Sequence, residues 1–262
     1  MLLSGHGRPW RWPDQSRFVR FSGLPVPHID RLFPVLITIG DNTFSYCSSM
    51  ASFDLPDSLT SVGQYAFSYC ISLTQFALPN GLINLKWSMF TGCYRLGSLT
   101  IGSENPVYAS VDGMIFNKGL TTLMKCPTGR IGYVDLPTGV LEIAPYAFQG
   151  CRSLRSVDLP DTARSIGDYA FDGCYILVSV DLGNGMEVIG DYAFYNCDSL
   201  TRLELPAGLT SIGHGSFRGC HDLATFDVDP DNQVFASHDG VLYDKENSAL
   251  SVCPEGRAGH VD

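Results

Sequence analysis

A chain of 262 residues has room for one large domain or two ordinary ones, and 45% hydrophobic residues suffice for a packed core. Only 17% of its residues are charged and the net charge is −10, so the basic surface that phosphate binding needs is missing and nucleic acid is a poor partner. Nine cysteines are too few for a small disulfide-stapled scaffold, and no apolar run approaches the ~18 residues of a membrane span.

Residues 1–34 fit no pattern found later in the chain. They hold two of the three Trp, and five Arg against two Asp, which leaves +3 there and −13 on the remainder. The apolar stretch and small-residue cleavage site of a signal peptide are lacking, and the segment is expected to be a poorly ordered leader. From residue 35 the cysteines form a ruler. Cys47, Cys70, Cys93, Cys126, Cys151, Cys174, Cys197, Cys220 and Cys253 are spaced 23, 23, 33, 25, 23, 23, 23 and 33 apart. Such a period calls for a repeat reading before any other. One copy runs Pro56 to Cys70 (PDSLTSVGQYAFSYC), another Pro160 to Cys174 (PDTARSIGDYAFDGC), a third Pro206 to Cys220 (PAGLTSIGHGSFRGC). After the cysteine comes L-x-x-L-x-L or a close variant, as in Leu200, Leu203 and Leu205. A longer period lies on top: Cys47, Cys70, Cys93 and Cys126 map onto Cys174, Cys197, Cys220 and Cys253 by a shift of 127, and the stretch from Asn105 to Lys118 matches Asn232 to Lys245. The chain is a duplicated block of three plain repeats and one longer unit.

Within a repeat, Leu203-Glu204-Leu205 alternates apolar and polar, the signature of a half-buried strand. Pro206 ends it by removing a donor. A turn follows, in which Gly208 or its equivalents Gly81, Gly139 and Gly185 are expected to supply positive φ. Thr210 to Gly213 returns as a short extended segment with Ile212 inward. Tyr-Ala-Phe-x-x-Cys is too short for an independent helix, so it is expected to form one helical or 3-10 turn carrying Ala, Phe and Cys to the core. In the longer units, Met114 to Phe116 and Leu120 to Met124 flank Asn117-Lys118-Gly119, which predicts a hairpin in each block. The fold class expected is α/β: a solenoid of ~23-residue coils over 35–262, with short parallel strands, a short helical or 3-10 turn and two β-hairpin insertions, each coil stable only against its neighbours. Gly256 to Asp262 matches Gly129 to Asp135, where a further coil would begin, so a piece of a longer solenoid is expected.

Candidate chemistry is sparse. The 23-residue cysteine spacing suits small buried thiols better than metal ligands or disulfides. The centres of successive strands read Asp135, Asp158, Asp181, Glu204 and Asp227, a row of carboxylates on one solvent face, against Asp54, Ala77 and Thr100 in the first block. Neighbours in such a row at ~4.8 Å repel by roughly 0.9 kcal/mol in water. The row is either a solvated strand face or a stripe for a cation or a basic protein; calcium would need oxygens that converge. Trp87 stands where other copies have Gln64, Asp168, Asp191 or His214, and it is either a contact residue or packing for the neighbouring hairpin. No catalytic constellation, metal site or cofactor motif rises above the repeat itself.

The I-G-x-Y-A-F-x-x-C-x-x-L-x-x-L-x-L-P pattern between Ile166 and Pro206 resembles the BspA-type leucine-rich repeats, and the insert NPVYASVDGMIFNK looks like the longer units of that family. The resemblance covers about residues 35–262. It implies a right-handed stack without catalytic residues, found in secreted or cell-surface proteins of bacteria and some protists and associated with adhesion to host matrix proteins or other cells. The expected function is therefore a non-enzymatic protein-binding module without cofactor or membrane insertion, with Asp135, Asp158, Asp181, Glu204, Asp227 and Trp87 as candidate contacts. The alternative is a structural stalk with no ligand of its own.

Overall fold

The computed structural model describes residues 36–246, 249–252 and 254–256, together with a short antiparallel pair of Leu2–Leu3 with Pro9–Trp10. The rest of the leader expected over 1–34, Cys253 and the end of the chain lie outside the described residues.

A regular coil contributes a long strand, a short strand and a turn. In the first block Gln75–Leu78 pairs parallel with Ser98–Ile101. In the second, Gly132–Asp135, Leu154–Asp158 and Ser179–Asp181 form a parallel three-stranded sheet, and Arg202–Leu205 pairs with Thr225–Val228. Alternate residues of Gln75–Leu78 and Arg202–Leu205 are buried and exposed, as their apolar–polar alternation requires. A second parallel ladder is built from two-residue strands. Thr38–Ile39 pairs with Ser61–Val62, and Glu142–Ile143, Ser165–Ile166, Val188–Ile189 and Ser211–Ile212 follow one another in register.

The turn containing Tyr-Ala-Phe-x-x-Cys differs from expectation. Tyr146, Tyr169 and Tyr192 have φ of 62°, 54° and 52°, and the chain returns to positive φ just before the cysteine, at Gly150, Gly173 and Asn196. A backbone that enters the left-handed region twice in five residues cannot build a helix. Its N–H groups point along the stack instead: those of Tyr146, Phe148 and Gly150 donate to the carbonyls of Asp168, Ala170 and Asp172 in the next coil at 3.1, 2.7 and 2.8 Å. Left-handed tyrosine costs about 1–2 kcal/mol. These inter-coil bonds and the stacking of Tyr146 on Tyr169 and Tyr169 on Tyr192 (centroids 5.4 and 5.0 Å apart) offset it. Among the described residues one 3-10 helix remains, Trp87–Phe90. There Ser88 replaces the left-handed tyrosine; in three other turns the Oδ1 of Asp41, Asp168 and Asp191 accepts the backbone N–H of Gln64, Asp191 and His214 in the following coil. The architecture is thus a parallel β-solenoid of ~23-residue coils, and the helical part of the expected α/β class shrinks to this single turn.

The glycines after the strands also behave differently. Of Gly81, Gly139, Gly185 and Gly208, only Gly139 has positive φ. Gly81 is needed for space: a Cβ there would sit 2.6 and 2.7 Å from the carbonyl oxygens of Asp57 and Leu59 in the preceding coil. The glycine after the inward isoleucine has the same duty. At Gly190 a Cβ would lie 2.7 Å from the backbone nitrogen of Asp168.

Inside the second block Phe148, Phe171, Phe194 and Phe217 stack with centroids 4.6, 4.9 and 5.7 Å apart. Beside them the thiols of Cys174, Cys197 and Cys220 donate to the carbonyl oxygens of Phe148, Phe171 and Phe194 at 3.2, 3.2 and 3.0 Å. Cys70 and Cys93 do the same to Phe44 and Phe67. The eight described cysteines are buried. Burial pushes the thiols of Cys70 and Cys93 up to about 12.

The longer unit of the first block is a three-stranded antiparallel meander of Tyr108–Val111, Met114–Asn117 and Thr122–Lys125. Its last strand also pairs parallel with Glu142–Ile143 and so hands over to the short-strand ladder. Its middle strand separates two cores, with Ile115 packed in the core of the first block and Met114 and Phe116 in that of the second. Phe235–His238, Val241–Asp244 and Ala249–Val252 repeat the arrangement. Each meander is pinned by one fully buried asparagine. Asn105 Nδ2 donates to the carbonyls of Asn80 and Leu82 at 2.9 and 2.7 Å, and its Oδ1 accepts the N–H groups of Val107 and Tyr108. Asn232 makes the same four bonds to Pro206, Leu209, Val234 and Phe235.

Asn105→Ala strands four buried backbone groups at about 1–3 kcal/mol each before relaxation, and urea unfolding should show a loss of at least about 3 kcal/mol. Gly190→Ala should cost about 1–3 kcal/mol by crowding the coil before it. Gly208→Ala, whose Cβ would meet nothing nearer than 3.4 Å, should leave the same unfolding midpoint unchanged or slightly raised.

Candidate functional site

Parallel pairing without register slip at the strand centres puts residues of equal repeat position side by side. Asp135, Asp158 and Asp181 are consecutive partners in one sheet, and Glu204 and Asp227 are partners in the next. Asp135, Asp181, Glu204 and Asp227 are exposed and Asp158 is half-buried. A second row runs beside them two residues earlier: Tyr133, Ser156 and Ser179, then Arg202 and Thr225. In the first block the same two rows hold Gln75 with Ser98 and Ala77 with Thr100, which are neutral. The charge is therefore concentrated in the second block, the first contributing only Asp54 at the equivalent position.

The carboxylates are not equivalent. Arg202 reaches both Glu204 Oε1 (2.6 Å) and Asp227 Oδ2 (3.1 Å), an exposed network worth at most about 1 kcal/mol. Tyr133 donates its hydroxyl to Asp158 Oδ2 at 2.8 Å. Asp181 Oδ1 accepts the N–H of Gly183 at 2.9 Å. Asp181, Glu204 and Asp227 line a shallow hollow of ≈ 270 Å³ at the strand ends, with Asp229 completing its acidic wall. Asp229 was not among the expected contacts. It stands where the other coils carry a strand-ending proline or glycine (Pro160, Gly183, Pro206), and the displaced proline at 230 is the sequence signal for it.

Side by side in a flat row, the acids do not converge. Among the described residues no group of three or more His, Cys, Asp or Glu is placed to hold a metal ion. The histidines are scattered: His214 lies edge-on to Tyr192, His221 pairs with Glu255, and His238 stands beside Asp239. Trp87 is not brought together with the carboxylates. It opens the 3-10 turn of the first block, half-buried, with its ring edge-on to Tyr108 of the meander at 6.0 Å.

A solenoid of parallel strands whose inward Leu, Ile, Phe and Cys recur every coil while its outward residues vary defines a leucine-rich-repeat protein. A family model described as BspA type leucine rich repeat region matches residues 33–123 and 124–238 in six copies, and the chain belongs to that family. Among solved structures it is similar to the pneumococcal vaccine antigen PcpA, with 25% identity and a TM-score of 0.63 over 75% of this chain and 55% of that one. It is also similar to a leucine rich cell surface protein from Faecalibacterium prausnitzii, with 26% identity and a TM-score of 0.59 over 74% of this chain and 57% of the other. The chain thus spans little more than half the length of either. No curated protein matches it. No helix among the described residues is long and apolar enough to cross a membrane.

The Tyr133–Asp158 bond has a pH signature. The hydrogen bond to the carboxylate, helped by its negative charge, pushes the phenol of Tyr133 up to about 12. The bond's contribution to stability is complete below the ordinary tyrosine range and is lost as the pH rises through that value. An ultraviolet difference titration of wild type against Tyr133→Phe should isolate one phenol ionising near pH 12, and Asp158→Asn should bring it back down.

Proposed function

We propose that this solenoid is a non-enzymatic protein-binding module and that it meets its partner through the strand face of residues 135–227, with Asp135, Asp158, Asp181, Glu204 and Asp227 as the contact row. One observation carries the reading: in-register pairing lays Asp135, Asp158 and Asp181 side by side in one sheet and Glu204 and Asp227 in the next, where the first block has a single acid, Asp54, followed by the neutral Ala77 and Thr100. A row of like charges is tolerated in water and relieved by a basic partner. The likeness to a vaccine antigen and to a cell surface protein supports a place at the cell surface or outside it, and adhesion to matrix proteins or other cells as the role. Trp87, remote from the acids in the fold, is an independent contact in this proposal.

The test is binding of the chain to immobilised extracellular-matrix proteins at rising salt. Wild type should be retained, with affinity falling as salt rises. Lysine at positions 158, 181 and 204 together should weaken retention at least ten-fold and flatten the salt dependence. Equal affinity and salt slope for the triple variant would move the site elsewhere. Failure of wild type to bind any matrix protein would favour a stalk that presents another domain.

A further inference from the structure

The regular stack is interrupted once on its turn edge. Between the turn that ends at Cys93 and the one that begins at Tyr146, the chain runs through the meander, and Cys126-Pro127-Thr128-Gly129 replaces the usual tyrosine turn. What is left is a notch of ≈ 600 Å³, within the ~300–1,000 Å³ of small-molecule sites.

Its lining is unusual in chemistry. Tyr65, Tyr69 and Trp87 come from the first block, Tyr146 and Tyr175 from the second, and Tyr94 from the link between them, whereas Leu85 is the one aliphatic side chain. Two tyrosine stacks stop here. Tyr69 is stacked on Tyr46 at 4.8 Å, and Tyr146 on Tyr169 at 5.4 Å, and among the described residues no ring covers the other face of Tyr146. The Arg152 guanidinium is held 4.1 Å from the centre of the Tyr94 ring and 5.2 Å from that of Tyr175. It makes no hydrogen bond or ion pair with any described residue, and neither does the exposed Lys86 ammonium beside it. The other charges of the notch are committed. Lys125 Nζ donates to the carbonyl oxygens of Tyr146 and Gln149, and Asp172 accepts the Gln149 amide. On a chain of net charge −10, two unspent cations set among aromatic rings single out an anionic ligand with a flat face.

We infer that this notch binds an acidic saccharide, a pyranose carrying a carboxylate of the uronic-acid type. A pyranose offers a flat patch of C–H groups to the negative face of an aromatic ring, which suits the open side of Tyr146. Its equatorial carboxylate lies at the ring's rim, so one sugar stacks and still reaches Arg152 for a bidentate bond. A peptide of comparable size would bring aliphatic side chains, for which the lining provides only Leu85. The site shares no residue with the carboxylate row; Trp87, half-buried on Tyr108 and proposed above as an independent contact, belongs to its wall.

The probe is a glucuronate-containing tetrasaccharide titrated into the whole chain by calorimetry and tryptophan fluorescence, beside a sialylated trisaccharide, a neutral tetrasaccharide and a glutamate-rich peptide. The uronate should bind saturably and at least ten-fold more tightly than each of the other three. Arg152→Gln, checked by its melting curve to be folded at the titration temperature, should weaken it at least ten-fold, and Lys86→Gln should weaken it less. Asp181→Lys, on the strand face, should leave it intact. No binding, equal binding of the neutral sugar, tighter binding of the sialylated sugar or the peptide, or full affinity in Arg152→Gln would each overturn the assignment.

Discussion

The distance between one coil and the next is what everything else in the molecule must respect. Three sets of backbone hydrogen bonds set it: the long-strand ladder, the short-strand ladder and the bonds from Tyr146, Phe148 and Gly150 to the next turn. That spacing leaves no room for a Cβ at Gly81 or Gly190. It brings the phenylalanine rings to 4.6–5.7 Å in the second block and puts Cys174, Cys197 and Cys220 against the carbonyl of the phenylalanine in the coil before. The same spacing aligns the carboxylates. Their proximity on the strand face is a by-product of the ladder, and the energy that holds them there comes from the leucines beneath.

The coil period, the inward Leu–x–Leu positions and the row from Asp135 to Asp227 were legible because each repeats, and repetition turns a weak local signal into a strong one. The conformation of the turn was not. Tyr-Ala-Phe is compatible with a helical turn by propensity, and nothing local in those residues announces a left-handed tyrosine. The inter-coil bonds that stabilise it connect residues 22 apart, Tyr146 with Asp168 for one. The glycines misled for a related reason: a glycine in a turn suggests positive φ, whereas Gly81 answers to the oxygens of a neighbouring coil. Asn105 and Asn232 were visible as a matching pair at the 127-residue shift, but their role depends on carbonyls more than twenty residues upstream. Asp229 escaped notice because it breaks the repeat, and so it is missed by an eye trained on regularity.

Irregular places are where this fold acquires individuality. The first meander divides the interior into two cores through a single strand, with Ile115 facing one way and Met114 and Phe116 the other. It also suspends the tyrosine turn for one unit, which opens the notch around Arg152 and leaves Trp87 against Tyr108. The two halves of the duplication have diverged on their strand faces, where Ala77 and Thr100 of one stand for Glu204 and Asp227 of the other, while their inward residues have kept the same chemistry.

The thiol column has a consequence for how such a protein ages. As long as the stack is closed, every described cysteine is buried away from oxidants, and burial holds the thiols of Cys70 and Cys93 in their protonated, unreactive form. A transient parting of two storeys would present several nucleophilic sulfurs to the medium together, already in a row. Outside a reducing compartment, a mispaired bridge captured at that moment would keep the parted layers from closing again. The lifetime of the molecule in such surroundings is then set by how seldom it opens, a kinetic safeguard in place of the covalent cross-links that many extracellular scaffolds use.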